Sequence, residues 1–264
     1  MKAAGMSHDV GVRGQIVLAM CHGLEAIPNV LAGWEGGSAA FDAVDAYSDI
    51  DLNFLIDDTV SVDLLYAAAE TALETVSPIV ASHFVPPGRY YKLEAGGEFL
   101  LVDLCFFRAG AADHALEVER HGRARPLFDK ADWLRPTPID EAALAIKRDQ
   151  RYRELQMWFL ISQSFVHKAV LRGQPVEAHV SFLSYTLKPL AELLRMRHCP
   201  ARWDFGMRYL QRDLPPAVYD NFKDLVLIRD LDDLEGKLAK AKSWGISLLQ
   251  ELDQEKRENQ NNFS

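Results

Sequence analysis

The sequence predicts an α/β domain followed by an all-α helical-bundle domain. Helix-period and strand-like segments alternate up to about residue 108, whereas helical periodicity alone continues after about residue 140. A proline-rich segment, Pro136-Thr137-Pro138, separates the two regions. With 264 residues, of which 48% are hydrophobic and 25% charged, the chain is long enough to bury a core in each of two modest domains.

In the first region, apolar residues at helical spacing predict helices over about 10–26 and 60–77. Runs rich in β-branched and aromatic residues predict strands over 29–34, 48–56, 79–85, 89–93 and 98–107. Pro86-Pro87-Gly88 reads as a turn, and Gly96-Gly97 is expected to join the last two strands as a hairpin. Leu127-Phe128-Asp129 is a candidate for a further edge strand.

The remaining elements belong to the second region, after a linker over 109–139. Helices are predicted over about 141–171, over 175–198 with a kink at Pro189, after Pro215-Pro216, and over 230–253. We therefore expect a first domain over residues 1–139, a helical bundle over 140–253 and a disordered tail over 254–264. The residues before the first helix are expected to be mobile.

Charge and composition narrow the class of partner. The net charge is −9, and residues 1–108 carry 5 basic and 15 acidic residues, which leaves 24 and 23 for the rest. Such an acidic first half argues against a nucleic-acid partner and is compatible with a small cationic one. No apolar run approaches membrane-spanning length, no signal peptide is evident, and three dispersed cysteines suit reduced thiols, so we expect a cytoplasmic protein.

Two aspartates on one predicted strand are the first candidate site residues. In a β-strand, side chains two residues apart share a face, so Asp49 and Asp51 would project together while Ile50, Leu52, Phe54 and Ile56 face the other way. Neighbouring carboxylates repel unless a cation holds them, and Mg²⁺ takes one or two carboxylates together with substrate phosphates. The plainer interpretation of the pair alone is a solvated strand edge or turn.

A small-residue turn precedes the two aspartates. Gly36-Gly37-Ser38 lets the backbone approach a ligand closely, and a short helix beginning at Ser38 would point free N–H groups at an anion. Nine residues then separate Ser38 from Ser48-Asp49-Ile50-Asp51-Leu52.

A third carboxylate stands in a later strand. Asp103 is the only charged residue between Phe99 and Phe107, and an ionised carboxylate in an apolar run needs a partner. An arginine from a neighbouring element would satisfy it structurally, and a metal shared with Asp49 and Asp51 is the functional alternative. Glu98, at the start of the same predicted strand, is the second choice for the carboxylate that would join Asp49 and Asp51.

The pattern over residues 29–56 resembles the signature of the nucleotidyltransferase superfamily, with the DNA polymerase β-like fold, and most closely that of aminoglycoside adenylyltransferases. The resemblance implies a mixed sheet, two Mg²⁺ ions and ATP as co-substrate. It implies that Asp49, Asp51 and Asp103 are catalytic and hold the metal ions, and that Gly37, Ser38 and Ser48 hold the phosphates. The expected reaction transfers AMP from ATP to a hydroxyl of a small molecule, with an aminoglycoside-like antibiotic as the leading acceptor class.

Other interpretations stay open at the level of sequence. A relative that modifies a protein, as nucleotidyltransferases of toxin–antitoxin systems do, or one that binds nucleotide without turnover, would share the motif. Residues 141–212 hold twelve basic and six acidic side chains, from which Arg202, Arg208 or Arg212 could reach the triphosphate. Glu177 or Glu192 could serve as an acceptor-side base.

Overall fold

A computed structural model describes residues 11–111 and 116–262, with side chains described as far as residue 258. The chain divides into two compact units, Met1–Ile139 and Asp140–Ser264. The first ten residues, for which the sequence predicts mobility, lie outside the described part.

The first unit is built on a mixed six-stranded sheet. Its strands are β1 (Val30–Glu35), β2 (Ile50–Ile56), β3 (Ile79–Val85), β4 (Gly88–Leu93), β5 (Leu101–Arg108) and β6 (Arg125–Asp129), and the order across the sheet is β3-β4-β5-β2-β1-β6. Only the β2–β5 pair is parallel; the other pairs are antiparallel. The sequence predicted all six strands, including β6 at the edge.

One face of this sheet is covered by helices α1 (Val12–Glu25) and α2 (Val62–Glu74). Their apolar residues pack with the alternate residues of β2 that were predicted to face away from the aspartates, and Ile50, Leu52, Phe54 and Ile56 are all fully buried. Burial of these side chains is the main source of stability for the unit. The opposite face carries a smaller apolar cluster around Trp34 and Leu55, and it also carries the acidic residues of β2 and β5.

The hairpin predicted between β4 and β5 is present, with a connection longer than the expected one. The two strands do pair antiparallel, but Glu94–Gly96 forms a single 3-10 turn, and β5 begins only at Leu101. Glu98 therefore lies outside the strand, where it is exposed and its backbone carbonyl accepts a hydrogen bond from Lys92 Nζ at 2.7 Å. Asp103 remains within β5 as predicted.

The second unit is helical. Its helices, numbered after the short α3 (Val118–His121) of the first unit, are α4 (Glu141–Leu171), α5 (Pro175–Phe182), α6 (Lys188–His198), α7 (Leu210–Asp213), α8 (Pro216–Val226) and α9 (Leu231–Asn262). Asp140 caps α4 by accepting a hydrogen bond from the Ala143 N–H at 2.9 Å. Helices α4, α5, α6, α8 and α9 contribute to one shared apolar core.

The helix predicted over 175–198 is continuous but contains a π-helical segment, Leu183–Leu187, just before the expected kink site. Proline at 189 has no N–H to donate to the Tyr185 carbonyl four residues earlier. Buried Gln163 of α4 supplies the missing donor, because its Nε2 lies 2.9 Å from that carbonyl oxygen. Its Oε1 accepts a hydrogen bond from the Thr186 hydroxyl at 2.6 Å.

Replacing Gln163 with leucine should therefore destabilise the second unit by about 3 kcal/mol, because the buried Thr186 hydroxyl loses its acceptor and the Tyr185 carbonyl keeps only a longer bond, from the Ser162 hydroxyl at 3.4 Å. Chemical denaturation measures the change. Thr186→Val removes the other half of the Gln163–Thr186 bond, so the double variant should be less destabilised than the sum of the two single changes. Additive effects would show that the two side chains do not act together.

The last helix corrects the prediction of a disordered tail over 254–264. Helix α9 continues to Asn262 instead of ending near 253. The segment contains no glycine or proline, and two ion pairs attach it to the rest of the unit: Lys256 with Asp149 at 2.8 Å and Glu255 with Arg197 at 3.0 Å. The polarity of this segment therefore did not indicate disorder, because a polar helix can be stabilised by ion pairs along one of its faces.

No helix within residues 11–111 and 116–262 combines the length and the apolar character needed to cross a membrane.

Candidate functional site

Asp51 and Asp103 lie side by side on the sheet face that α1 and α2 leave uncovered. They are register partners in the parallel β2–β5 pair, and both are partly exposed. Neighbouring strands are about 4.8 Å apart, so register partners project from the same face as near neighbours. The flanking residues Leu52 and Leu104 point into the core and are fully buried. The structure thus brings together two acids that are 52 positions apart in the chain.

Asp49 was predicted to share a strand face with Asp51, but it lies one residue before β2, where it is half-buried. Its backbone carbonyl accepts a hydrogen bond from Arg13 Nη1 at 2.9 Å. Within the described part of the chain, no group of three or more His, Cys, Asp and Glu side chains is arranged to hold a metal ion. The joint metal site of Asp49, Asp51 and Asp103 accordingly stays a prediction.

Gly37 packs directly against the Asp51 carboxylate. Its φ is +52°, in the left-handed region, and a Cβ built on it would lie 1.8 Å from Asp51 Oδ2. The preceding residue, Gly36, donates its N–H to the Asp51 carbonyl at 2.8 Å. Both the backbone conformation and the lack of space require glycine at position 37. The turn after β1 is therefore packed directly against the acid of β2.

The short helix predicted to begin at Ser38 is a single turn of 3-10 helix, Ala39–Phe41. The Ala39 and Ala40 N–H groups already donate hydrogen bonds to the carbonyls of Gly36 and Gly37, so they do not point freely at a ligand. A single turn also lacks the dipole of a long helix. The Ser38 hydroxyl oxygen, in contrast, is buried without a hydrogen-bond partner among the described residues. A buried hydroxyl in this state is suited to a polar ligand.

Ser48, the third predicted phosphate contact, takes part in a local turn. Its hydroxyl donates to Asp45 Oδ1 at 2.8 Å and accepts from the Asp45 N–H at 2.9 Å. These bonds, together with the Tyr47 N–H, lower the pKa of the Asp45 carboxyl. The Ser48 side chain therefore closes the loop before β2, and its contact with phosphate stays a prediction.

Cys105 lies on the same face, two residues after Asp103. Its Sγ is 3.9 Å from Asp103 Oδ1. Burial, reinforced by the negative charges of Asp103 and Asp51, raises the pKa of the Cys105 thiol to about 12. At neutral pH this side chain is therefore a protonated thiol and a weak hydrogen-bond donor, not a thiolate.

Gly88 on β4 provides the space on the far side of the acid pair. A Cβ there would lie 2.5 Å from Cys105 Sγ, 2.6 Å from the Leu104 carbonyl oxygen and 3.2 Å from Asp103 Oδ1. The next residue of β4 on the same face, Tyr90, is the register partner of Asp103. Glycines at 37 and 88 thus stand beside Asp51 and Asp103 respectively.

Arg13 joins the loop before β2 to the end of β1. It donates to the carbonyl oxygens of Ser48 at 3.1 Å and Asp49 at 2.9 Å, and through Nη2 to Glu35 Oε1 at 2.5 Å. Glu35, the last residue of β1, is 4% exposed. A buried carboxylate of this kind is stable only with a cationic partner, which Arg13 supplies.

The helical unit uses several of its predicted site residues in ion pairs of its own. Buried Asp213 accepts hydrogen bonds from Arg195 at 2.8 Å, Arg202 at 2.6 Å and Arg212 at 3.1 Å. Arg195, itself fully buried, also donates to the carbonyls of Gly206, Arg202 and Arg208. The arginine-rich loop is thus folded around an Arg195–Asp213 pair, and triphosphate binding by its arginines stays a prediction.

Asp213→Asn should destabilise the helical unit by about 3–5 kcal/mol, because it leaves the fully buried Arg195 charge without its counter-ion. The control is Asp220→Asn, which removes an exposed pair with Lys223 and should cost less than ~1 kcal/mol. Urea denaturation of both variants gives the comparison. Equal, small losses would mean that the buried pair does not organise this loop.

The two glutamates considered as acceptor-side bases differ in environment. Glu192 forms a two-point ion pair with Arg151, with distances of 2.7 Å and 3.1 Å. The same contacts raise the pKa of Arg151, whose guanidinium stays charged. Glu177 is exposed in the first turn of α5. The role of either as a base stays a prediction.

The residues around Asp51 and Asp103 fit a divalent cation. The paired carboxylates are hard oxygen donors, which Mg²⁺ prefers, and the orphaned Ser38 hydroxyl offers a further polar contact for a ligand. Sequence reasoning identified the acids and the turn but missed Arg13, Glu35, Gly88 and Cys105. Gly88 follows a conspicuous Pro-Pro pair, whereas Arg13 carries no sequence signal that sets it apart from other helix-surface arginines.

Comparison with known proteins yields structural neighbours only. No family model and no curated protein match the sequence. An aminoglycoside 6-adenyltransferase from Bacillus subtilis is 9% identical, with 91% of this chain and 89% of that one covered and a TM-score of 0.38. A nucleotidyltransferase-like protein from Exiguobacterium sibiricum is 15% identical, with 91% and 75% covered and a TM-score of 0.38.

A third structure is a cyclic dinucleotide synthase from Elizabethkingia meningoseptica with GTP and Apcpp, 14% identical, with 88% and 89% covered and a TM-score of 0.29. All of these superpositions are loose. A function for this chain therefore has to be argued from the residues of its own site.

Proposed function

We propose that this protein is a divalent-metal-dependent nucleotidyltransferase that transfers AMP from ATP to a hydroxyl group of a small molecule. The observation that carries the proposal is the in-register pairing of Asp51 with Asp103, with Gly37 packed against the Asp51 carboxylate. A paired acid site beside a glycine turn provides cation binding and phosphate access in one place. The sequence motif over residues 29–56, which resembles the signature of the nucleotidyltransferase superfamily, supports it.

In the proposed reaction, the acceptor oxygen bonds to the α-phosphorus of ATP. The bond from that phosphorus to the bridging oxygen of the β-phosphate breaks, and pyrophosphate leaves with the bond's electron pair. Asp49, Asp51 and Asp103 would hold two Mg²⁺ ions, which supply charge neutralisation of the phosphates when bound. The carboxylate of Asp103 would accept the proton of the attacking hydroxyl.

The glycine turn would hold the rest of the nucleotide. Backbone N–H groups of Gly37 and Ser38, with the Ser38 hydroxyl, are proposed to bind the β- and γ-phosphates. The left-handed conformation at Gly37 supports this role, because backbone in this region of a turn can form a concave anion site. The two glycines of the turn carry no side chain that would block a phosphate.

For the acceptor we propose a cationic small molecule, with aminoglycoside-like compounds as the leading class. The support is the acidity of residues 1–108, where acidic side chains outnumber basic ones three to one. A cleft with one sign of charge raises the local concentration of the opposite sign.

The test is incubation of the protein with ATP labelled in the α-phosphate, Mg²⁺ and a panel of hydroxylated amines, followed by chromatography and a pyrophosphate assay. Transfer of label to one panel member with matching pyrophosphate release is expected. Label on a protein band would favour the protein-modifying alternative instead. Calorimetry that detects Mg²⁺-ATP binding without pyrophosphate release for any acceptor would favour a non-catalytic relative.

A further inference from the structure

Arg13 contacts both halves of the candidate site from outside it. The residue lies in the first turn of α1, and its guanidinium bonds to Glu35 on one side and to the carbonyls of Ser48 and Asp49 on the other. Glu35 comes immediately before Gly36-Gly37, and Ser48-Asp49 comes immediately before β2. One side chain therefore links the start of the glycine turn to the segment that delivers Asp51.

The burial of Glu35 shows that this link is part of the folded framework. Its side chain is 5% exposed and that of Arg13 is 26% exposed, so the ion pair is largely shielded from water. Arg125 also approaches Glu35, at 3.9 Å, but that side chain is 68% exposed. A shielded pair at 2.5 Å holds its partners more firmly than an exposed one at 3.9 Å.

We propose that Arg13 is a positioning residue that sets the affinity of the site for its divalent cation. By holding the Ser48 and Asp49 carbonyls, it fixes where Asp49 stands at the start of β2, and by holding Glu35 it fixes the turn that packs against Asp51. This inference rests on the proposed function, because it assigns Arg13 a part in the same metal site. Arg13 acts through the backbone and does not touch the reacting groups.

The chemistry of arginine suits this task better than that of lysine. A guanidinium is a planar fork that presents separate N–H groups in fixed directions, and here Nη1 serves two carbonyls while Nη2 serves the carboxylate. A lysine ammonium keeps the charge beside Glu35 but lacks this rigid, divided geometry. Arg13→Lys therefore tests whether the site needs the guanidinium geometry of arginine in addition to its positive charge.

The experiment is a titration of the protein with Mn²⁺, a spectroscopic substitute for Mg²⁺, followed by electron paramagnetic resonance in the presence of a non-hydrolysable ATP analogue. Arg13→Lys should weaken Mn²⁺ binding about 10-fold, within the ~10–100-fold range typical of outer-shell partners of metal ligands. The concentration of Mg²⁺ that gives half-maximal transfer should rise by the same factor.

The matched control is Arg89→Lys. Arg89 pairs with Glu70 at 2.8 Å with similar partial exposure, and it is the register partner of Leu104, whose side chain points away from the acid pair. Mn²⁺ binding by this variant should equal that of the wild type. If Arg13→Lys lowers the unfolding midpoint more than Arg89→Lys does, a second variant, Arg13→Lys/Glu35→Gln, removes the buried negative charge that has lost its arginine partner. This double variant should show the same weakening of Mn²⁺ binding.

The outcomes separate this inference from the proposed function. Wild-type Mn²⁺ affinity in both the single and the double variant would overturn the positioning role of Arg13, whatever the catalytic result. If Mn²⁺ binding weakens as expected but the wild type transfers no nucleotide to any acceptor, the assigned reaction fails and the role of Arg13 stands.

Discussion

Asp51→Asn and Asp103→Asn are each expected to reduce nucleotide transfer about 1,000-fold, which corresponds to roughly 4 kcal/mol of transition-state stabilisation. The two carboxylates are register partners on β2 and β5, so each variant removes one negative charge from the same pair. An asparagine is nearly isosteric, so the fold should be preserved while cation binding is lost. Initial rates with α-labelled ATP measure the change.

One control and one further variant make this prediction specific. Asp63→Asn is the control, because it alters an exposed acid in the first turn of α2. A surface substitution of this kind changes the free energy of unfolding by only about 0.5 kcal/mol, so the rate should stay within a factor of two. Asp49→Asn tests the third predicted ligand separately. A loss equal to that of Asp51→Asn would place Asp49 in the metal site, whereas near wild-type activity would exclude it. Full activity in Asp51→Asn would overturn the mechanism itself.

The second large effect is expected from Gly37→Ala, which should lower transfer about 100-fold. The added methyl group would occupy space 1.8 Å from Asp51 Oδ2, so the carboxylate must move, and a displacement near 1 Å is enough for a loss of ~10²-fold. The left-handed φ of +52° adds roughly 1–2 kcal/mol of backbone strain. Rates and unfolding midpoints should be measured on the same preparation.

Gly173→Ala is the matched control for this variant. Gly173, in the turn after α4, has a φ of +66°, but no atom lies within 4 Å of a Cβ built there. The control therefore carries the same kind of backbone strain without the collision with Asp51, and it should lose stability while retaining its rate. If both variants lose the same activity, the effect of Gly37→Ala comes from strain and not from its contact with the acid.

Local patterns in the sequence predicted much of the architecture. Helix α4 was predicted over 141–171 and extends over those residues, and β3 was likewise predicted over 79–85. Strand β2 was expected to bury Ile50, Leu52, Phe54 and Ile56, as it does. These features depend on periodicity and on turn residues, which are properties of short segments and can be read from the chain alone.

Local patterns were less reliable where an element depends on its neighbours. Strand β5 begins at Leu101 instead of residue 98, and α9 extends through residues expected to be disordered. In α9 the difference comes from ion pairs with α4 and α6, through Asp149 and Arg197. A sequence shows the polarity of a segment but not which charges lie opposite it.

The sequence by itself determined that Asp51 and Asp103 belong to strands and that a glycine turn precedes Asp51. It also placed Asp49 within the strand of Asp51, whereas β2 begins only at Ile50. Only the tertiary structure decided that β5 lies parallel to β2 with Asp103 beside Asp51, that Gly37 and Gly88 make room next to these acids, and that Arg13 joins the turn to the start of β2. The physical reason is that strand order and register arise from long-range packing of the whole sheet, for which no short segment carries a signal.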